Sequence, residues 1–225
     1  CGTYTLDLAR AVGAAGRVAA MDISGPMLVE GEARARAAGI DNIDWLKADP
    51  ATAALDQFDL LTSAFGAMFF GDPVAAFTHM RQAANPGARM AFVSWRSLDE
   101  NLWMRVPMQA VLPHLPPRPK AAPHGPGMFA FADPGRTTQV LTDAGWAPPR
   151  LEKLDLDLDI AAGRGLAEAV VQSTQIGAVN SWLRSEPADV IAAATESIRE
   201  ALAPYADGAS VRLPGAMWLI SSTPA

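Results

Sequence analysis

The sequence predicts an α/β fold with a doubly wound, mainly parallel sheet, and three observations carry that expectation. Short apolar runs alternate with helical stretches through the first hundred residues, as repeated βαβ units require. A glycine turn opens directly into a helix at the start, and an acid closes the next strand. After a long helical region, Val211 to Ser222 reads as a final strand.

Taken in order, Thr5 to Val12 has helical spacing, with Leu6, Ala9 and Val12 on one side. Arg17 to Asp22 is a short apolar run after Gly16, suited to a buried parallel strand. Ser24 is a candidate cap for a helix with Pro26 in its first turn, running to about Ala38 before Gly39. Ile43 to Lys47 and Phe58 to Ser63 read as further strands. Asp72-Pro73 opens a helix through about Ala84, Asn85-Pro86-Gly87 reads as a turn, and Arg89 to Trp95 as a strand.

The second half begins with a helical stretch over 101–115, followed by a proline-rich segment through Pro126. That segment reads as a rigid surface loop of a substrate lid, with a polyproline ligand as the alternative. Asp133-Pro134 repeats the cap-plus-proline device, and Gly145 ends its helix. Leu151 to Ile160 alternates apolar and polar residues like a half-buried strand near a sheet edge. Helices are expected over 165–180 and 187–203. No linker separates independent domains. The chain reads as a single domain, with a cofactor-binding half over 1–97, substrate and lid elements over 98–210, and a terminal strand over 211–225.

At 225 residues, half of them hydrophobic and 19% charged, the chain can bury a full core. Its net charge of −6 lacks the basic footprint that a phosphate backbone demands, so nucleic acid is a poor partner. Cys1 is the single cysteine, which excludes an intrachain disulfide and a thiolate metal cluster. The three histidines, His79, His114 and His124, are scattered, without the spacing of a zinc-binding helix. No apolar run reaches transmembrane length and no signal peptide is visible, so a cytoplasmic enzyme is the expectation.

Gly2 and Asp22 frame the chemistry. A glycine turn, a helix and a strand ending in an acid form the layout of a nucleoside-binding βαβ unit. The turn lets backbone N–H groups approach a ligand, and an ionised carboxylate can accept both hydroxyls of a ribose. Such charge-assisted bonds contribute about 1.5–3 kcal/mol each. A strand-end Asp is also a common helix cap, so the pair alone leaves both readings open. Asp49, after the next strand, is placed to accept from the exocyclic amine of an adenine. Ile23 and Met27 offer apolar faces for the ring, or simply pack at the helix start.

The segments "MDISGPML", "KADP", "FDLLTSAFGAMFF", "NPGARMAFVSW" and "GMFAFADPGR" resemble the class I S-adenosylmethionine-dependent methyltransferases. Among these the chain is similar to the small-molecule group related to the ubiquinone and menaquinone biosynthesis enzymes. The resemblance implies a Rossmann-like methyltransferase sheet with an antiparallel last strand and helical lid insertions. "CGTYTLDLA" matches only the tail of that family's glycine fingerprint. The resemblance therefore implies that the first strand is missing and that the chain is truncated within the glycine motif. A missing central strand would expose ladder groups on its two neighbours.

Carried over residue by residue, the resemblance assigns Cys1, Gly2 and Thr5 to the methionine and ribose side of S-adenosyl-L-methionine. Asp22 would hold the ribose hydroxyls, with Ile23 and Met27 flanking the adenine. Asp49 and the backbone of Pro50 would read the adenine edge. Ser63 and Ala64 would line the pocket near the methyl group, Ala64 standing where similar sequences often carry Ser or Arg. The acceptor is not identified. His114 is the one candidate general base, while Trp95, Trp103, Phe129 and Phe131 are candidates for an apolar acceptor wall or for ordinary packing. A nicotinamide-dependent oxidoreductase and a non-catalytic cofactor-binding protein of the same fold remain as alternatives.

Overall fold

The structure, a computed structural model, describes residues 2–117 and 125–225. Cys1, His124 and the middle of the proline-rich segment lie outside the described residues. The elements run α1 (Thr3–Val12), β1 (Val18–Asp22), α2 (Gly25–Ala37), β2 (Ile43–Lys47), β3 (Phe58–Ala64), α3 (Pro73–Gln82) and β4 (Ala84–Trp95). There follow α4 (Leu102–Val111), α5 (Pro134–Asp143), β5 (Arg150–Asp159), α6 (Gly165–Gln175), α7 (Gly177–Leu183), α8 (Ala188–Leu202), β6 (Ala206–Asp207) and β7 (Ser210–Ser222). The α/β, Rossmann-like class expected from the sequence is the one observed. No helix among the described residues is long and apolar enough to cross a membrane.

The chain divides into two compact units. The first comprises Cys1–Ala91, Thr138–Pro149 and Ser221–Ala225, and the second Phe92–Thr137 and Arg150–Ile220. In the first unit β1 and β2 pair in parallel, with Val18 opposite Ile43 and Asp22 opposite Lys47. β3 borders β4 in a separate sheet. Among the described residues β1 pairs with β2 alone and β3 with β4 alone, so each has one edge without a strand partner. The described strands thus form two sheets rather than one continuous doubly wound sheet. Helix α1 is tied to the start of β2 by Asn42, whose Nδ2 donates to the carbonyls of Ala9 (3.0 Å) and Gly13 (2.9 Å). Phe77 and Trp146 fill the core of this unit, and the Trp146 indole donates to the Phe77 carbonyl at 3.0 Å.

In the second unit the last residues of β4 lead to β7 and then β5, with the two-residue β6 paired antiparallel to β7. The Ile160 N–H donates to the Val211 carbonyl at 3.0 Å, where the end of β5 meets the start of β7. Val111, Val170, Ile198 and Leu202 pack with Val211 and Leu213 in one apolar cluster, so the helices cover a face of β7.

Three local expectations change. Asn85-Pro86-Gly87 is not a free turn: it lies within β4, because Phe58 N–H donates to the Ala83 carbonyl and Asn85 Nδ2 donates to Asp59 Oδ1. The helix expected over 165–180 breaks at Ile176 into α6 and α7, since Gly177 sits at φ +58°, outside helical geometry. Ser24 occupies the N-cap position of α2 without a side-chain cap. Its backbone N–H is instead taken by Asp22 Oδ1 at 2.8 Å. Asp72 and Asp133 do cap as expected, accepting from Ala75 N–H (2.9 Å) and Arg136 N–H (2.6 Å).

Candidate functional site

The expected cofactor residues that the structure describes fall in the first unit: Gly2 and Thr5 at the start of α1, Asp22, Ile23 and Met27 from the end of β1 into α2, Asp49 and Pro50 after β2, and Ser63 and Ala64 at the end of β3. Gly2 is left-handed, φ +82°, and forms the N-cap of α1. A Cβ there would lie 2.9 Å from the Gly31 Cα and 3.2 Å from the Trp45 ring. Conformation and space therefore both require glycine. Gly31, in turn, would place a Cβ 2.6 Å from the Trp45 ring. The opening turn, α2 and β2 thus meet at a point where two glycines admit one tryptophan. Tyr4, two residues on, hydrogen-bonds through its hydroxyl to the Thr62 hydroxyl on β3. Gly2 and Thr5 are in this way held beside β3 as well as β2.

Asp22 ends β1. Its Oδ1 accepts from Ser24 N–H, and its carbonyl accepts from Ala48 N–H at 3.2 Å. That second bond carries the chain from β2 directly to Asp49. Asp49 Oδ1 accepts from Ala51 N–H at 2.9 Å, and its carbonyl from Thr52 and Ala53 N–H. Each acid spends one oxygen on its own turn, the Asx-turn device. In both, Oδ2 has no hydrogen-bond partner among the described residues. Pro50 sits half-buried inside the Asp49 turn, and His79 Nε2 holds that turn through the Ala53 carbonyl at 2.7 Å. His79 is thus a half-buried tie within this unit.

Next to Asp22, two apolar side chains stand in solvent: Ile23 is 71% exposed and Met27 41%. Lys47, opposite Asp22 in register, brings its Nζ within 3.7 Å of where a Cβ on Gly25 would lie, at the start of α2. At the end of β3, Ser63 Oγ accepts from Gly66 N–H at 3.1 Å, and Ala64 is exposed. Phe65, directly after Ala64, is left-handed at φ +64°, a strained conformation for a bulky residue of the kind that clusters at ligand sites.

The acceptor-side candidates lie in the second unit. Phe131 is 1% exposed and meets Phe92 edge-on at 5.6 Å, so it is core. Trp95 and Trp103 pack with ring centroids 4.9 Å apart, tilted by 47°. Phe129 is half-buried in a turn. His114 Nε2 is engaged with Ser197 Oγ on α8 at 2.8 Å. A charged centre that the sequence did not suggest surrounds Arg96, which is 6% exposed. Arg96 pairs with Asp155 and Glu100 and lies 5.3 Å from the Trp218 ring centroid. Burial works against its charge, but Glu100 and Asp155 outweigh that and hold the guanidinium above its ordinary value. The hydrogen bond from Arg96 holds the Glu100 carboxyl below the usual carboxylate range, against the desolvation that would raise it.

The profile of the ubiE/COQ5 methyltransferase family matches residues 1–117. Two curated relatives, each named a demethylmenaquinone methyltransferase, are 31% identical in Bacillus subtilis (strain 168) and 32% in Bacillus velezensis, over 94 residues. Each match covers 40% of this chain and 40% of the relative. Among solved structures, the YcgJ protein of Bacillus subtilis aligns with a TM-score of 0.57 at 13% identity, over 92% of this chain and 82% of that one. BH2331 of Bacillus halodurans C-125, described as a candidate methyltransferase, aligns with a TM-score of 0.55 at 13% identity, over 93% and 84%. At these identities the structural likeness concerns the fold.

Proposed function

We propose that this chain, which belongs to the ubiE/COQ5 methyltransferase family, serves S-adenosylmethionine-dependent methyl transfer to a small-molecule acceptor. The observation that carries the reading is Asp22. It ends β1 with one carboxylate oxygen held by its own turn and the other open, beside the exposed Ile23 and Met27. A sugar diol suits the open oxygen, and a purine face would cover the two apolar side chains.

The residues present fit this cofactor. Gly2 turns the chain at φ +82° with Gly31 and Trp45 packed against it, and on this reading it lies with Thr5 along the methionine and ribose side. Asp22 accepts from the ribose hydroxyls, and Ile23 and Met27 sandwich the adenine. Asp49 and the Pro50 backbone meet the adenine edge. Ser63 and Ala64 flank the end of the site nearest the acceptor. When bound, the cofactor supplies an electrophilic methyl group on a sulfonium centre. The protein's part is to hold donor and acceptor in line, which can lower a barrier by about 7–11 kcal/mol. A base is needed only where the acceptor atom must lose a proton.

The two curated relatives are named for a quinone precursor, which supports an aromatic acceptor here as well. The reading also carries a cytoplasmic setting and no nucleic-acid partner, in keeping with the net charge of −6. Titration of S-adenosylhomocysteine into wild type and Asp22→Ala, with NAD as control ligand, tests it. Loss of affinity in the variant is the expected result, and equal affinity would refute the ribose assignment.

A further inference from the structure

Strand β5 forms the outer edge of the second unit. In the order β4-β7-β5 it pairs with β7 alone among the described residues, so one side of a 10-residue strand has no ladder partner. An open edge of that length is a template for another strand. Residues 153–157 are exposed in an unbroken run, so both faces of β5 meet solvent there. Leu154 is 37% exposed and Leu156 46%, and the two share one face at the two-residue period of a strand.

The end of the strand sets the direction of its backbone groups. Ile160 N–H donates to the Val211 carbonyl at 3.0 Å, which aims the even-numbered residues at β7. By alternation, the N–H and C=O groups of Lys153, Asp155 and Asp157 point to the open edge. A strand added there forms its hydrogen-bonded pairs with these three residues.

Charge selects the occupant. Lys153 makes no ion pair among the described residues, and Asp155 engages Arg96 through Oδ1 only. When a second β5 lies antiparallel about Leu154, each Lys153 stands directly opposite the other copy's Asp155 and diagonal to its Asp157. On the other face Leu154 meets its own counterpart, with Leu156 diagonal to it. Sliding the register by two residues sets Lys153 against Lys153 one way and Asp155 against Asp155 the other. Like charges directly opposite are destabilising, so charge leaves one register.

We propose that the β5 edges of two copies of this chain pair antiparallel about Leu154, joining their second units in a symmetric dimer. The contact is isologous, so each Lys153–Asp155 pair occurs twice. The inference goes beyond the methyl-transfer reading and does not rest on it, because no residue of β5 belongs to the proposed cofactor set.

Sedimentation equilibrium of wild type and variants tests it. Wild type should reach twice the mass of one chain and dissociate on dilution. Lys153→Glu turns both Lys–Asp pairs into like-charge pairs and should weaken the dimer by about tenfold or more. Leu154→Cys, combined with Cys1→Ser to remove the single native cysteine, should form a disulfide-linked dimer in air. Facing residues of a pair without hydrogen bonds have Cα atoms about 4.5 Å apart, within disulfide reach. Leu156→Cys in the same background stands opposite Glu152 and should cross-link far less. Circular dichroism checks folding, and all three positions on β5 are exposed; if Lys153→Glu does not fold, the two cysteine variants decide. A wild type that stays monomeric at the highest attainable concentration would overturn the proposal and leave the edge to a strand of another protein. A dimer unmoved by Lys153→Glu, or equal cross-linking from positions 154 and 156, would overturn it in favour of another interface. S-adenosylhomocysteine binding, measured separately, stands or falls without it.

Discussion

The Asn101 side chain grips Ala216 from both sides. Its Oδ1 accepts from the Ala216 N–H at 2.9 Å, and its Nδ2 donates to the Ala216 carbonyl at 3.0 Å. The same amide donates to the Ser97 carbonyl at 2.9 Å and accepts from the Trp103 indole. One buried side chain thus fixes the start of α4 against β7 and sets the angle of Trp103. Asn101→Ala strands several buried polar groups at once. It should cost about 3 kcal/mol or more, read as a lower urea midpoint with an unchanged slope. A loss below about 0.5 kcal/mol, the size of an ordinary surface change, would contradict this role.

Gly31 is a glycine in the middle of a helix, and replacing such a residue by alanine ordinarily stabilises by about 1 kcal/mol. Here the added Cβ would lie 2.6 Å from the Trp45 ring. Gly31→Ala is therefore expected to lower the melting temperature, because Trp45 cannot retreat without disturbing Gly2 and β2. A raised melting temperature would mean that the close approach is dispensable. At an open helical site the same substitution has the opposite sign, so the direction alone decides.

Asp159 should make stability fall in acid. Its carboxylate accepts from the backbone N–H groups of Val211 (3.0 Å), Ala161 (3.0 Å) and Gly163 (3.1 Å). The Val211 bond first, and the others with it, holds the group below the usual carboxylate range despite desolvation. A depressed value contributes stability above the unfolded value of about 3.9. That contribution is lost as pH falls through the folded value. Asp159→Asn should be less stable than wild type near pH 6, and the gap should close toward about pH 2. A gap that stays constant across this range would show that the charge plays no part.

Much of the first unit was legible because its signals are local. Val18–Asp22 and Ile43–Lys47 follow from short apolar runs bounded by turn residues. Asp72 and Asp133 announce their helices through a cap followed by proline. Asp22 and Asp49 were readable as strand-end acids, and both take that place. What was not legible depends on partners distant in sequence. Asn85 to Gly87 carries a turn signal, yet β3 recruits it into a strand through Asp59 and Phe58.

The glycine pair at 2 and 31 shows where a closer reading would have helped. A glycine inside "GEARARA" is costly in a helix and so asks for a reason; that reason is Trp45. Asn101 and Arg96 left no comparable trace. A buried amide or guanidinium has the same sequence signature as an exposed one, and only the arrival of Ala216, Asp155 and Trp218 gives either its role.

The measurement that bears most directly on the proposed function is calorimetric titration of S-adenosylhomocysteine into the protein, wild type and Asp22→Ala. NAD serves as the control ligand. The expected result is binding by wild type, a loss of about one to two decades in the variant, matching the charge-assisted bonds to a ribose, and no binding of NAD. Binding of NAD instead, or equal affinity of both proteins for S-adenosylhomocysteine, would contradict the assignment of Asp22 as the residue that holds the cofactor's ribose.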